Sequence, residues 1–205
     1  MLPEVTVAII PVKGALAGKS RLAPVLGPAA RSRLVLWMLG RVALAARQAG
    51  LDVHVVGGDP PVVELCAEFG CTWSKDRGGL NPSVKAALDE AIARGWQAAL
   101  VLPGDVPWVH PGDISAVLGA LKNPSTIALV PSPDGGTNAL ALALPARLEP
   151  AFGPGSFWRH RTLARRAGLR AVALRPAGLA RDVDVPVDLT ADLYRAISEA
   201  ATPGR

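Results

Sequence analysis

Along the chain, short unbroken apolar runs of strand length alternate with longer stretches that carry apolar residues at helical spacing. Residues 5–12 form the first run, β-branched and closed by loop residues, as a central strand covered on both faces reads. Over residues 29–49, Leu34, Met38, Val42 and Ala45 recur at helical intervals, and Gly50 stands where a C-terminal cap belongs. Residues 53–56 predict a second strand, 61–69 a short helix and 71–73 a small strand. Asn81-Pro82 then places a capping residue before a proline in the first helical position, and Val84, Leu88, Ala91 and Ile92 define one apolar face up to Gly95.

Residues 98–102 are the clearest buried strand, ended by Pro103-Gly104, and Pro111 opens a helix reaching about Leu121. Residues 127–130 and 138–144 read as strands, the latter without polar alternation, so both its faces should be covered. Residues 157–168 read as a basic helix, 169–174 as a strand and 189–200 as a closing helix, followed by a loose tail over 202–205. Strand and helix alternate throughout, with neither a repeat nor a linker. That predicts one domain over 1–205, an α/β fold with a mainly parallel sheet and helices on both faces.

Composition narrows the partners. With 205 residues, 50% of them hydrophobic, the chain can bury a substantial core. Its formal charge of +5 is spread out, without a run of basic residues, and its one Tyr, three Phe and five Trp form no stripe with them. A nucleic-acid partner is therefore not indicated. The first residues lack the cationic and apolar regions of a signal peptide, and no apolar stretch approaches the roughly 20 residues of a membrane-spanning helix. The expectation is a cytoplasmic protein with no membrane partner, a monomer or homodimer. Cys66 and Cys71 are too few and wrongly spaced for a zinc site or a disulfide framework, and read as core thiols.

In such sheets ligands bind beyond the carboxyl ends of the strands. The loop after the first strand, "PVKGALAGKSRL", comes close to a phosphate-binding P-loop but has only three residues between Gly14 and Gly18, one short of that motif. Pro24 and Pro28 interrupt the helix a P-loop would require. What remains is a cluster of cations, Lys13, Lys19 and Arg21, suited to a polyphosphate. Asp105, in a proline-stiffened turn after the buried strand, offers a hard oxygen ligand of the kind Mg²⁺ takes. In "RDVDVPVDL", an extended backbone would turn Asp182 and Asp184 to one face, whereas Asp188 reads as an N-cap for the closing helix. No Ser-His or Cys-His pair suggests covalent catalysis: His54 lies within an apolar strand and His110 precedes a helix-starting proline. Arg159 and His160 read as solvated residues of the basic helix.

Six segments in order, "PVKGALAGKSRL", "GGLNPSVKAAL", "LPGDVP", "GGTNALAL", "FGPGSFWRH" and "DVDVPVDL", resemble the CofC/FbiD family, phospholactate or phosphoenolpyruvate guanylyltransferases of coenzyme F420 biosynthesis. The resemblance covers nearly the whole chain. It implies a three-layer, Rossmann-like mixed sheet of the GT-A-like nucleotide-diphospho-sugar transferase type, a Mg²⁺-dependent enzyme, GTP as nucleotide donor, and phosphoenolpyruvate or 2-phospho-L-lactate as acceptor. It also implies metal ligands at Asp105, Asp182 and Asp184, phosphate-binding cations at Lys13 and Lys19, acceptor contacts at Thr137, Gly153 and Ser156, and nucleotide contacts at Gly79, Leu80 and Asn81. Arg21 joins the cations on physical grounds, and helix capping is a second role open to Asn81. Two alternatives stay open: a related nucleotidyltransferase using CTP with a sugar or cofactor precursor, and a noncatalytic GTP-binding module.

Overall fold

The computed structural model describes residues 5–199. The first apolar run forms β1 (Thr6–Val12), an inner strand of a seven-stranded sheet with β2 (Asp52–Gly57), β3 (Thr72–Ser74), β4 (Ala98–Val101), β5 (Thr126–Pro131), β6 (Thr137–Ala143) and β7 (Arg170–Ala173). The order across the sheet is β3-β2-β1-β4-β6-β5-β7. β1 pairs in parallel with β2 and β4, β2 with β3, and β5 with β7, while β6 runs antiparallel to both β4 and β5. The reversal has a local cause: the five residues 132–136 joining β5 to β6 suffice for a hairpin but not for the helical crossover that a parallel connection needs.

Among the described residues six helices cover the sheet: α1 (Pro28–Gln48), α2 (Pro60–Glu68), α3 (Leu80–Ala93), α4 (Pro111–Gly119), α5 (Ser156–Arg166) and α6 (Ala191–Glu199). Side chains alternate along each strand, so β1 sends Ala8 and Ile10 into one core and Val7 and Ile9 into another. The first core packs under α1, α2, α4 and α6, with Leu34, Met38 and Leu39 of α1 fully buried; the second packs under α3 and α5. Each such buried side chain contributes about 1.5–3 kcal/mol of hydrophobic stabilisation. Every residue of β4 is buried, and all but the last of β6, which accounts for their lack of polar alternation.

Two expected helix starts are corrected. α3 begins at Leu80 with Gly79 at the N-cap, so Asn81 lies inside the first turn and caps nothing. α6 begins at Ala191: a 3-10 turn over Pro186–Asp188 intervenes, Thr190 Oγ1 accepts the Leu193 N–H at 3.4 Å, and the Asp188 carboxylate is engaged within its own turn. Ala200 and the expected tail at 202–205 lie outside the described residues. Among the described residues, no helix is long and apolar enough to cross a membrane.

Candidate active site

The loop that leaves β1 is shaped by glycines and by one distant carboxylate. Asp59, just past β2, accepts the Ala15 N–H at 3.0 Å and the Leu16 N–H at 2.7 Å. Gly14 sits at φ 122°, and a Cβ there would meet Asp59 Oδ2 at 2.9 Å. Gly18 is required by close approach, since a Cβ would lie 2.5 Å from the Gly14 carbonyl oxygen. The chain then enters the left-handed region at Lys19, φ 54° and ψ 42°, a conformation costly for a residue with a side chain. That turn carries the Lys19 ammonium into the carboxylates: Nζ is 2.6 Å from Asp105 Oδ2 and 2.7 Å from Asp184 Oδ1. Arg21 reaches Asp184 Oδ2 from the solvent side at 3.1 Å.

The acids converge because the turn after β4 is stitched to the 182–184 segment. Val183 donates its N–H to the Asp105 carbonyl at 3.1 Å and buries its side chain completely, so its neighbours Asp182 and Asp184 both turn toward the site. Asp188 fixes this segment from below, accepting the Asp184 and Val185 N–H groups, each at 2.8 Å. One oxygen from each of Asp105, Asp182 and Asp184 lies within 4.8 Å of the others. Burial raises the Asp182 pKa, with the nearby Asp105 charge adding to it. Burial alone would raise Asp184 as well, but the hydrogen bond and charge of Lys19, with Arg21 and Lys13 behind it, hold it below the ordinary carboxylate value. Among the described residues no cation lies within ion-pair distance of Asp182. Three hard oxygen donors, one without a counter-ion, fit a divalent cation.

The opposite wall comes from the start of β6 and the entry to α5. Thr137 Oγ1 lies 2.9 Å from Ser156 Oγ and 3.1 Å from His160 Nδ1, and His160 Nε2 accepts the Ala151 N–H at 3.0 Å. Asn81 spans to the same segment, accepting the Phe152 N–H at 2.7 Å and donating to the Phe152 carbonyl at 3.1 Å. At the head of α3, Asp76 Oδ1 accepts the N–H groups of Gly78 and Gly79 at 2.6 and 2.9 Å. Between the walls lies a cavity of about 750 Å³, in the size range of small-molecule sites. It joins the acidic cluster to hydroxyls and glycine backbone, with cations on one rim, an arrangement suited to holding two phosphate-bearing molecules together.

The Guanylyl transferase CofC like family matches residues 6–195 of the chain. The chain belongs to this family. A relative from Sphaerobacter thermophilus, named phosphoenolpyruvate guanylyltransferase, is 43% identical over 189 residues, 90% of each chain. A relative of the same name from Rubrobacter xylanophilus is 40% identical over 185 residues, 89% of this chain and 90% of its own. The crystal structure of a protein from Desulfovibrio desulfuricans G20, provisionally named a nucleotide-diphospho-sugar transferase, superposes with a TM-score of 0.74 at 17% identity, covering 95% of this chain and 94% of that one. The last likeness is one of fold, and it agrees with the expected GT-A-like, mixed and mainly parallel α/β architecture.

In this CofC-like chain, Lys13, Lys19, Arg21, Gly79, Leu80, Asp105, Thr137, Gly153, Ser156, Asp182 and Asp184 all line this cavity. Asn81 does not; its carboxamide is turned to the Phe152 backbone. His160 departs from the solvated helix-face position expected of it, since its ring is fully buried behind Thr137. Arg159 is exposed as expected, but it holds the 151–154 carbonyls, donating to Ala151 O from Nε at 3.2 Å and Nη2 at 2.9 Å and to Pro154 O. Asp59 follows a strand, where chemistry is expected, yet its role is to shape the cation loop. His54 and His110 stay outside the site, the first bonded to Thr72 and Ser74 and the second heading α4. Cys66 is a buried free thiol and Cys71 a half-buried one.

Proposed function

We propose that this protein is a cytoplasmic, single-domain guanylyltransferase that joins GMP from GTP to phosphoenolpyruvate, or to 2-phospho-L-lactate, releasing pyrophosphate in coenzyme F420 biosynthesis. The observation that carries the reading is the shared cavity. An acidic triad, two of whose members are bridged by Lys19, faces a wall of Thr137, Gly153 and Ser156 across a space of about 750 Å³. Relatives named for phosphoenolpyruvate, at 43% and 40% identity over most of the chain, favour that acid as acceptor.

Asp105, Asp182 and Asp184 are the residues that would hold Mg²⁺. When bound, such an ion neutralises phosphate oxygens and withdraws charge from the bond that breaks. Lys13, Lys19 and Arg21 supply fixed positive charge at the same rim, where two polyanions have to approach. Gly79 and Leu80 border the base and ribose end, and Asn81 ties that end to the acceptor segment. Thr137, Ser156 and the Gly153 backbone hold the acid so that a phosphate oxygen points at the α-phosphorus of GTP. That oxygen attacks in line, a phosphoric anhydride forms, and pyrophosphate departs with the bonding pair. No side-chain nucleophile is required, because the attacking oxygen is already anionic at neutral pH.

The test is pyrophosphate release by the purified protein with each of the four nucleoside triphosphates, phosphoenolpyruvate, 2-phospho-L-lactate or 3-phosphoglycerate, with Mg²⁺ or EDTA. Release with GTP and phosphoenolpyruvate that EDTA abolishes is the expected result. Silence with all three acids would overturn the reading, and a preference for CTP would move the protein to a different transferase class.

A further inference from the structure

His160 lies on a helix whose outer face carries Arg159, Arg161, Arg165 and Arg166, yet its ring is closed to solvent and packs edge-on against Phe152, with centroids 4.9 Å apart. Both ring nitrogens are used. A backbone amide can only donate, so the bond from Ala151 N–H leaves Nε2 without a proton. The neutral ring then carries its proton on Nδ1, where it donates to Thr137 Oγ1. Burial, with the Arg159 charge adding to it, lowers the pKa to about 4, so the ring is neutral at physiological pH.

The direction of this chain has a consequence for the cavity. Three protons, on His160 Nδ1, the Thr137 hydroxyl and the Ser156 hydroxyl, meet only two links, His160 to Thr137 and Thr137 to Ser156. The ring proton fills the first link and one hydroxyl proton fills the second. One hydroxyl proton is therefore left over, with no acceptor among the described residues. Had the ring proton been on Nε2, Nδ1 would take the Thr137 proton, Thr137 would take that of Ser156, and none would remain. Thr137 and Ser156 line the cavity but are only 6% and 0% exposed, so bulk water is a poor partner for the surplus donor. A buried donor without an acceptor is costly, and an anionic oxygen is the acceptor that relieves it most.

We propose that His160 is a positioning residue for the acceptor: fixed as the Nδ1–H tautomer by the Ala151 amide, it holds Thr137 Oγ1 in place as a donor, without taking up a hydroxyl proton, so that one proton of the Thr137–Ser156 pair is aimed at a carboxylate or phosphate oxygen of the acid. Arg159 holds the Ala151 carbonyl on the other side of the same residue, so loop and tautomer are set together. The identity of the anion rests on the guanylyl-transfer reading; the tautomer does not.

Two measurements test the proposal. In ¹⁵N-labelled protein at neutral pH, histidine nitrogen shifts and N–H couplings should place the His160 proton on Nδ1; a proton on Nε2, or on both nitrogens, overturns it. In kinetics, His160→Gln and His160→Asn are compared for acceptor KM, GTP KM and thermal unfolding. Gln can place an oxygen where Nε2 was and keep the Ala151 bond; it offers Thr137 no donor, so the hydroxyl pair keeps its surplus proton but loses the bond that holds Thr137 Oγ1 in place. Asn can place an N–H where Nδ1 was and sacrifices Ala151. The expectation is that Gln is the better folded variant and Asn the better binder of acceptor, with acceptor KM in Gln raised about tenfold, the scale of the one ordinary hydrogen bond that no longer positions Thr137, and GTP KM within about twofold of wild type. If acceptor KM instead follows thermal stability, His160 is only a structural tie and the proposal fails. A wild-type protein inactive with every acid would overturn the guanylyl-transfer reading, while the tautomer would still decide the role of His160.

Discussion

Lys19 and Asp105 stand 86 positions apart in sequence, and their charged atoms meet at 2.6 Å, with Asp184 closing on the same ammonium from the other side at 2.7 Å. Lys19 thus occupies part of the oxygen cage in which a divalent ion would be held. Burial alone would lower its pKa, but the two carboxylates more than offset this and raise it, so its charge persists at any working pH.

Replacing Lys19 with Met removes that charge with little change of length. Turnover should fall about 100-fold or more, the scale seen when a fixed charge-stabilising donor is removed. In nucleotide-free protein the opposite sign is expected: Mn²⁺ should bind more tightly to Lys19→Met, by calorimetry, because no ammonium competes for Asp105 and Asp184. Unchanged Mn²⁺ affinity would remove Lys19 from the ion's cage.

Asp105→Asn keeps the backbone carbonyl that receives Val183 N–H and loses only the charge. The expected outcome is a folded protein with a thermal midpoint close to wild type and turnover reduced to background. Near-normal Mg²⁺-dependent turnover would contradict the metal-ligand role.

Asp59→Ala leaves Ala15 and Leu16 N–H without their acceptor and frees the loop that aims Lys19. GTP KM should rise about tenfold, corresponding to the 1–2 kcal/mol of such contacts, while acceptor KM changes less. Gly14→Ala should behave alike, since its Cβ would press on Asp59 Oδ2 and the φ of 122° is unsuited to alanine. Steady-state kinetics of both variants would reveal any departure from this shared pattern.

The pH dependence of stability follows from His160, whose folded pKa is lowered from 6.5 to about 4. The unfolded chain binds a proton there more readily than the folded one. The stability this contributes is complete above pH 6.5 and declines as pH falls toward about 4. Denaturant titrations across this window should show a smaller acid loss in His160→Gln than in wild type. Part of the loss will persist in the variant, because burial also lowers the pKa of His54.

Much of this was legible in the chain because it is local. Strand runs, helix faces and the loop glycines have short periods, and Asp182 and Asp184 flank a valine whose burial forces them to the same side. Element ends moved by one or two residues, as capping detail decides them. The roles of Asp59, Asn81 and His160 were not legible, because their partners lie 44, 71 and 23 positions away and no spacing rule encodes them. The reversal of β6 cannot be read from the strand itself, since a strand buried on both faces looks the same whichever way it runs; its signal is the connection over 132–136, too short for a helical crossover.

That reversal also bears on how the enzyme could change its diet. The acids and cations stand where forward-running strands finish, whereas Thr137 stands where the backward-running strand starts, on the same rim. On the guanylyl-transfer reading proposed above, substitutions in the 132–137 hairpin and the 151–160 segment would therefore retune which small acid is accepted while the half of the pocket assigned to the nucleotide phosphates, built from other loops, is left as it is.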